Sequence, residues 1–287
     1  MALSDPTVRV KLVGDELRRH RVAAGLGLVE AAKKIGLHHT RLSRMETGQY
    51  HQACDEVAGL LGLYGVTGSS RRELLQLSRY PEESGLWQRN RSLFKRVAAL
   101  EALESIATGL INFECTVIPG LLQTLPYTEA LIRNSGMFEN EEDLGQRVAV
   151  RIHRQGVLRK PGAPQLIAII AEGALHNRVG NLAIMRDQLI YLTEAAQRWN
   201  IFVRIVPATS NSSAGLDGPF MRLQFRGRPG VVVLENRTSN LFLEDKEDLL
   251  LYNQVAARLL DVALGDRDSV ALLHDLATRM AEEQLQQ

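Results

Sequence analysis

The stretch from Leu26 to Gly48 constrains the fold more than any other part of this 287-residue chain. Apolar residues recur at helical spacing between Leu28 and Ile35 and predict a short helix with one apolar face. Gly36 follows, where glycine ends helices by taking a positive φ without a steric penalty. Residues 38–47 fit a second helix, which Gly48 ends. The stretch therefore predicts two short helices joined by a tight turn.

The second helix of this stretch has a polar outer face. Leu42 and Met45 lie three residues apart and point inward, which leaves the opposite face exposed. Such a face suits contacts with phosphates and base edges in the major groove of double-stranded DNA. Arg44 is the expected base reader because arginine can contact guanine at two positions. The predicted DNA-binding residues are His38, at the helix start near a phosphate, and His39, Thr40, Arg41, Ser43 and Arg44.

Two parts of the sequence resemble known families. The first part resembles the helix-turn-helix of phage-repressor-like, or XRE-type, regulators. The matching residues are Leu26, Ala32, Ile35-Gly36, Leu42 and Arg44-Met45-Glu46-Thr47-Gly48. The segments ECTVIPGLLQTLPYTEALI, from Glu114, and GLDGPF, from Gly215, resemble the C-terminal domain of a large actinobacterial regulator family, often called antitoxin-like. The first resemblance implies DNA binding, whereas the second implies a family whose C-terminal domain has a poorly defined role.

The chain departs from the repressor pattern at two positions. Gly27 replaces the Ser or Thr that normally caps the first helix, and glycine is a weaker cap. Leu28 replaces a glutamine that contacts DNA in many repressors. The second helix is therefore expected to do most of the reading. Without the resemblance, an ordinary helical hairpin within a bundle is the alternative interpretation.

Apolar periodicity and turn residues divide the chain into three parts. We predict an all-α helix-turn-helix domain over residues 1–80, a linker and connecting helix over 81–110, and a larger α+β domain over 111–287. Tyr80-Pro81 and Ser84-Gly85 mark the boundary.

The opening helix is predicted from Val8 to Ala24. Its apolar residues lie near helical spacing, and Gly25 ends it. These apolar residues are Val10, Val13, Leu17 and Val22. Arg18, Arg19 and Arg21 lie on or beside its exposed face, which fits phosphate contact and a simply solvated face equally well.

In the third part, apolar runs and alternating segments predict strands between helices. Alternation from Phe113 to Val117 and the apolar residues from Ile201 to Val206 predict two of these strands, and residues 226–230 predict the turn of a hairpin. A long helix is predicted from Glu141 to Arg159.

The N-terminal part is the more basic one. Residues 1–80 carry a net charge of +4 and the remainder −3, which fits phosphate binding by the first domain. The N-terminus lacks the pattern of a secretory signal, and no apolar run is long enough to span a membrane. Two cysteines in different predicted domains do not suggest a disulfide framework, so a cytoplasmic location is expected.

The search for catalytic motifs is negative. The sequence has no nucleophile elbow, no phosphate-binding loop and no zinc-protease helix. His51 and Cys54 share a helical face, but a second paired spacing typical of zinc sites is missing. We therefore predict no enzymatic activity, no metal and no cofactor. The alternative is a hydrolase or transferase fused to a DNA-binding domain, which a convergent pair of buried acids would favour. The acids that the fold could bring together are Glu172, Asp217, Glu235 and Glu244.

Regulation is the function expected of the C-terminal domain. It would sense a small ligand or a partner, and the family resemblance implies a small protein encoded by an adjacent gene. The possible contact residues are Asp217 and Phe220, in the flexible stretch Thr209 to Phe220, and Trp87. A homodimer is expected because one short helix reads too few base pairs. Its candidate contacts are the C-terminal helices and the apolar stripe from Leu93 to Ile106.

Overall fold

The computed structural model consists of two compact units. It describes residues 8–50, 52–78, 93–136, 138–236 and 240–286. The first unit comprises residues 1–106 and 236–245, and the second comprises residues 107–235 and 246–287. The turn residues at 80–81 and 84–85, which predicted a boundary, lie outside the described residues, as does Trp87.

The described residues between 8 and 106 form helices and no strand. These helices are α1 (Val8–Ala23), α2 (Leu28–Lys34), α3 (His39–Glu46), α4 (Cys54–Leu63), α5 (Gly68–Ser78) and α6 (Leu93–Ile106). The all-α prediction for the N-terminal part is confirmed. The core between α1 and α3 is apolar, with Leu17, Leu42 and Met45 completely buried.

Three glycines end helices of the first unit as the sequence predicts. Gly25, Gly36 and Gly48 have φ values of 70°, 71° and 69°, a conformation that a side chain disfavours. Val22, placed by its spacing near the apolar face of α1, is instead 63% exposed. It lies five residues beyond Leu17, which rotates it by roughly 140° around the helix axis.

The second unit contributes most of a six-stranded mixed sheet, and the α+β prediction is confirmed. The strands are β1 (Gly109–Glu114), β2 (Gln165–Ala171), β3 (Ile201–Val206), β4 (Phe220–Phe225), β5 (Arg228–Glu235) and β6 (Asn240–Leu243). Their order is β3-β2-β1-β4-β5-β6. The first three strands run parallel, and β4 is antiparallel to β1 and to β5. The predicted hairpin around Gly227 is therefore confirmed.

Helices of the second unit connect and cover these strands. They are α7 (Leu125–Ser135), α8 (Glu141–Arg154), α9 (Glu172–His176), α10 (Leu182–Ala195), α11 (Lys246–Val262) and α12 (Asp266–Leu285). The sequence predicted one helix from Glu141 to Arg159, but the α-helix ends at Arg154 and continues as a 3-10 turn. The predicted alternation from Phe113 to Val117 stops being a strand at Glu114. Helix α9 was not predicted, because five residues are too few to show periodicity.

Candidate functional site

Helix α3 begins with a cap made by its own flanking histidine. The Nδ1 atom of His38 accepts a hydrogen bond from the backbone N–H of Thr40 at 3.3 Å, and its ring lies 4.3 Å from that of His39. The prediction that His38 lies at the helix start is confirmed. In contrast, Gly27 begins α2 without any side-chain cap, as the departure from the repressor pattern implied.

The outer face of α3 carries the predicted DNA-binding residues. His39, Thr40 and Arg44 are exposed, and Ser43 is half-buried. The Arg44 side chain makes no hydrogen bond or ion pair with any residue in the described part of the chain. Its guanidinium is therefore available to a partner outside the protein. These three exposed side chains and Ser43 define what we call the reading face.

Arg41, also predicted to bind DNA, is tied to α4 of the first unit, although its side chain is 41% exposed. Its Nη2 atom lies 2.7 Å from Oε1 of Glu56 on α4, and its guanidinium carbon lies 4.8 Å from the centre of the Tyr50 ring. The hydrogen bond that Arg41 donates to Glu56 raises the pKa of Arg41 above its usual value. Arg41 thus ties α3 to α4, and this role was not visible in the sequence.

A closed ion pair fixes the C-terminal end of α3 against α1. Arg21 Nε and Nη2 donate to the two carboxylate oxygens of Glu46 at 2.6 and 2.9 Å. Arg21 Nη1 also donates to the Leu26 carbonyl at 2.8 Å. The hydrogen bond to Glu46 raises the pKa of Arg21. Arg21 is therefore a packing residue, although its position among the arginines of α1 had also suggested phosphate contact.

Two further contacts hold the same helix end. The buried Gln52 side chain donates to the carbonyls of Val10 and Met45 at 2.9 and 2.7 Å. Gly14 of α1 lies so close to α3 that a Cβ atom there would stand 2.4 Å from the Met45 carbonyl oxygen. Helix α3 is therefore fixed relative to α1, which gives the reading face a defined orientation.

In the second unit, side-chain amides hold the segment between β1 and α7. Gln155 Nε2 donates to the carbonyls of Gly120 and Gln123 at 3.1 and 2.8 Å. Gln188 donates to Leu122 at 2.8 Å and accepts from the N–H of Thr124 at 2.7 Å. We call residues 118–124 the braced segment. Its backbone groups are satisfied by residues distant in sequence, as buried backbone requires.

A cluster of charged side chains lies where β1 and β5 end. It consists of Glu114, Glu235 and, from the last turns of α8, Arg151 and Arg154. Burial and repulsion from Glu235 raise the pKa of Glu114 to about 7. Burial lowers the pKa of Arg151, while attraction from Glu235 and Glu114 opposes that change. We call Glu114, Arg151 and Glu235 the open charge cluster. Sequence reasoning named Glu235 only among acids that could converge, and missed Arg151.

The predicted contact residues of the loop after β3 differ in position. Asp217 is exposed, but Phe220 is 3% exposed and packs on Phe113 and Tyr252 at centroid distances of 5.9 and 5.1 Å. Phe220 therefore belongs to the core and offers little surface to a partner. An open depression of about 370 Å³ lies beside the loop, lined by Asn211, Ser212, Ser213, Ala214, Arg258, Asp261 and Val262.

Comparison with family models identifies both units. Residues 97–275, more than half of the chain, match the model described as a domain of unknown function, DUF5753. The chain belongs to this family. Residues 12–74 match a model described as a helix-turn-helix domain, which supports a DNA-binding regulator. Searches among curated proteins and among solved structures found no match.

In the described residues, no group of three or more His, Cys, Asp or Glu side chains is placed to hold a metal ion. His51, considered above with Cys54, lies outside those residues. No helix of the described chain is both long and apolar enough to cross a membrane.

Proposed function

We propose that the chain is a sequence-specific transcription regulator of the XRE type, which reads DNA with α3. The observation that carries the proposal is Arg44. Its side chain is exposed and has no partner within the described chain, and the helix that bears it is fixed by Arg21, Gln52 and Glu46. A fixed helix presenting a free guanidinium suits the bidentate recognition of guanine in the major groove.

The test begins with selection of the preferred DNA from a random library with the full chain. Arg44→Ala should then weaken binding to the selected sequence by about 1–3 kcal/mol and relax base preference at one position. Arg72→Ala is the control, because it removes the same charge from the exposed surface of α5. Equal loss in both variants would reduce the role of Arg44 to general attraction of phosphates.

We further propose that the protein binds DNA as a homodimer on a two-fold-symmetric operator, since one short helix specifies too few base pairs. Leu100 and Leu103 of the predicted stripe are buried within the single chain. The exposed Leu250 and Leu251 of α11 are therefore better candidates for the contact, at 51% and 55% exposure. Sedimentation of the DNA complex gives the number of chains bound.

The DUF5753 domain would control DNA binding in this proposal. Its trigger would be a small ligand or a small protein encoded by an adjacent gene, as in antitoxin-like systems. The open depression beside residues 211–214 and the exposed Asp217 support an interaction surface. Control requires different affinities of the trigger for the two states, and a tenfold effect corresponds to about 1.4 kcal/mol.

We assign no reaction to the DUF5753 domain. The alternative of a hydrolase or transferase would need an activated nucleophile near the paired acids Glu114 and Glu235. The neighbouring thiol, Cys115, does not fit that role, because burial and the charge of Glu114 raise its pKa. A raised pKa keeps the group as the less reactive thiol.

A further inference from the structure

The two glutamates of the open charge cluster lie in one row on one face of the sheet. Phe113 pairs with Phe220, and Met221 pairs with Val233. Extending the β1–β4 register by one residue and the β4–β5 register by two places Glu114, Pro219 and Glu235 opposite one another across β1, β4 and β5. Because the two glutamates are separated by two strand spacings, their Cα atoms lie about 10 Å apart.

The row lies at a point where sheets of this kind often bind ligands. Across the sheet, β2 and β3 follow β1 on one side, and β4 pairs with the other side of β1. The carboxyl end of β1, where Glu114 lies, is thus beside the reversal of strand order. Crevices outside the carboxyl ends of strands at such a reversal are the usual binding places in open α/β sheets.

The charges of this cluster attract one another but do not close into ion pairs. No N–O contact within 4.0 Å joins Arg151 to Glu114 or Glu235, among the residues that the structure describes. In the same part of the chain, the Glu114 carboxylate has one hydrogen bond, a long one from Asn112 Nδ2 at 3.4 Å. The Arg151 guanidinium likewise has one, to Gln123 Oε1 at 3.5 Å. Glu114 and Arg151 are half-buried, and half-buried charges normally have closer partners. Their donors and acceptors therefore remain available, as does the exposed carboxylate of Glu235.

We propose that Glu114, Arg151 and Glu235 bind a small zwitterion with one ammonium group and one carboxylate, such as a free α-amino acid. This inference deepens the proposed regulatory function and rests on it for its biological role. The two carboxylates would accept hydrogen bonds from the ammonium, and Arg151 would bind the ligand carboxylate through its two-pronged guanidinium. A phosphate would be repelled by two glutamates, and a polyamine by Arg151 and the buried Arg154.

The experiment is calorimetric titration of the full chain with each of the twenty common L-amino acids. At least one should bind saturably, with one molecule per chain. Glu114→Gln and Arg151→Met should each weaken that binding at least about tenfold, which corresponds to about 1.4 kcal/mol. Glu142→Gln is the matched control, because Glu142 is an exposed acid on the same helix as Arg151. Its affinity should equal that of the wild type.

Derivatives of the ligand test the chemistry without altering the protein. The N-acetyl form removes the ammonium and the carboxamide form removes the carboxylate, so each should bind at least tenfold more weakly. If either derivative binds as tightly as the parent amino acid, the zwitterion assignment is overturned. This test does not depend on whether Arg151→Met folds. Absence of saturable binding by every amino acid to the folded chain overturns the proposal as well.

Measuring DNA binding on the same preparation separates this proposal from the regulatory one. Lack of ligand binding, with Arg44-dependent DNA binding intact, removes the zwitterion site alone. Ligand binding that depends on Glu114 and Arg151 but leaves DNA affinity unchanged supports the site and removes its regulatory role.

Discussion

The two units use charged residues in opposite ways. In the helix-turn-helix unit, Arg21 and Glu46 are closed into a two-pronged pair at 2.6 and 2.9 Å. In the DUF5753 unit, Glu114 and Arg151 attract each other without forming an ion pair among the described residues. A closed buried pair fixes geometry, because either charge alone is strongly disfavoured. An open cluster keeps its hydrogen-bonding groups available for a ligand. The contrast separates residues that fix a surface in place from residues that are able to bind a ligand.

The largest expected effect comes from opening the closed pair. Glu46→Gln leaves the Arg21 guanidinium without a counter-charge in a site where its side chain is 12% exposed. We expect a loss of about 3–5 kcal/mol in stability of the helix-turn-helix unit, because the remaining charge is buried. Hydrogen exchange at the amides of α3, followed by mass spectrometry, reports this loss for that unit alone.

Glu30→Gln provides the matched control for that substitution. Glu30 pairs with Lys34 at 3.1 Å, and both side chains are about half exposed, at 53% and 49%. Exposed pairs contribute about 0–1 kcal/mol, so exchange in α3 should stay close to that of the wild type. Equal effects of the two substitutions would contradict the assignment of Arg21 and Glu46 as the element that fixes α3.

The next effect concerns pH and the open cluster. In the folded chain the pKa of Glu114 is about 7, above its usual 4.5. The native state therefore binds this proton more tightly than the unfolded state, so stability falls as pH rises from 4.5 to 7. Glu114→Gln should be more stable than the wild type by up to about 3 kcal/mol at roughly pH 8.

The measurement is the difference in unfolding free energy between wild type and Glu114→Gln across this pH range. The difference should disappear below roughly pH 4, where the Glu114 carboxyl is neutral in both the folded and the unfolded state. A difference that does not change with pH would show that Glu114 contributes no titration to folding.

The smallest effect tests how closely the two helices approach. In Gly14→Ala, the new Cβ meets the Met45 carbonyl oxygen at 2.4 Å unless α1 moves away. Forcing an extra group into a close contact costs about 1–3 kcal/mol. In Gly59→Ala, the added Cβ meets no atom within 4 Å, and α4 should gain up to about 1 kcal/mol from the better helix former. Thermal unfolding that shifts in the same direction for both would contradict the close approach.

Much of the fold could be predicted from the sequence because its signals are local. Gly25, Gly36 and Gly48 end helices through their own positive φ. The continuous apolar run of β2 is typical of a buried strand. The strand Ile201–Val206 was predicted with its observed bounds. The end of α8 at Arg154 was not predicted, because the apolar pattern continues through Gly156 and the 3-10 turn without a break.

Less of the site could be predicted, because side-chain partners depend on distant parts of the chain. The polar face of α3 follows from periodicity, but the capture of Arg41 by Glu56 on α4 depends on packing. Phe220 was placed on a contact surface because it follows turn residues, whereas its strand register turns it towards Phe113. Arg151 and Glu114 are 37 positions apart in the sequence numbering, and only the fold brings them together.

The braced segment shows why a stretch without catalytic or ligand-binding residues can still have a recognisable sequence. Its backbone is satisfied by Gln123, Gln155 and Gln188, so replacing any of these amides would leave buried groups without partners. A motif of this kind records what the architecture demands, not what the protein recognises. Proteins whose sequences resemble this segment should share its scaffold but differ in their ligands. Ligand specificity across such chains is better compared at the strand ends, where Glu114 and Glu235 lie.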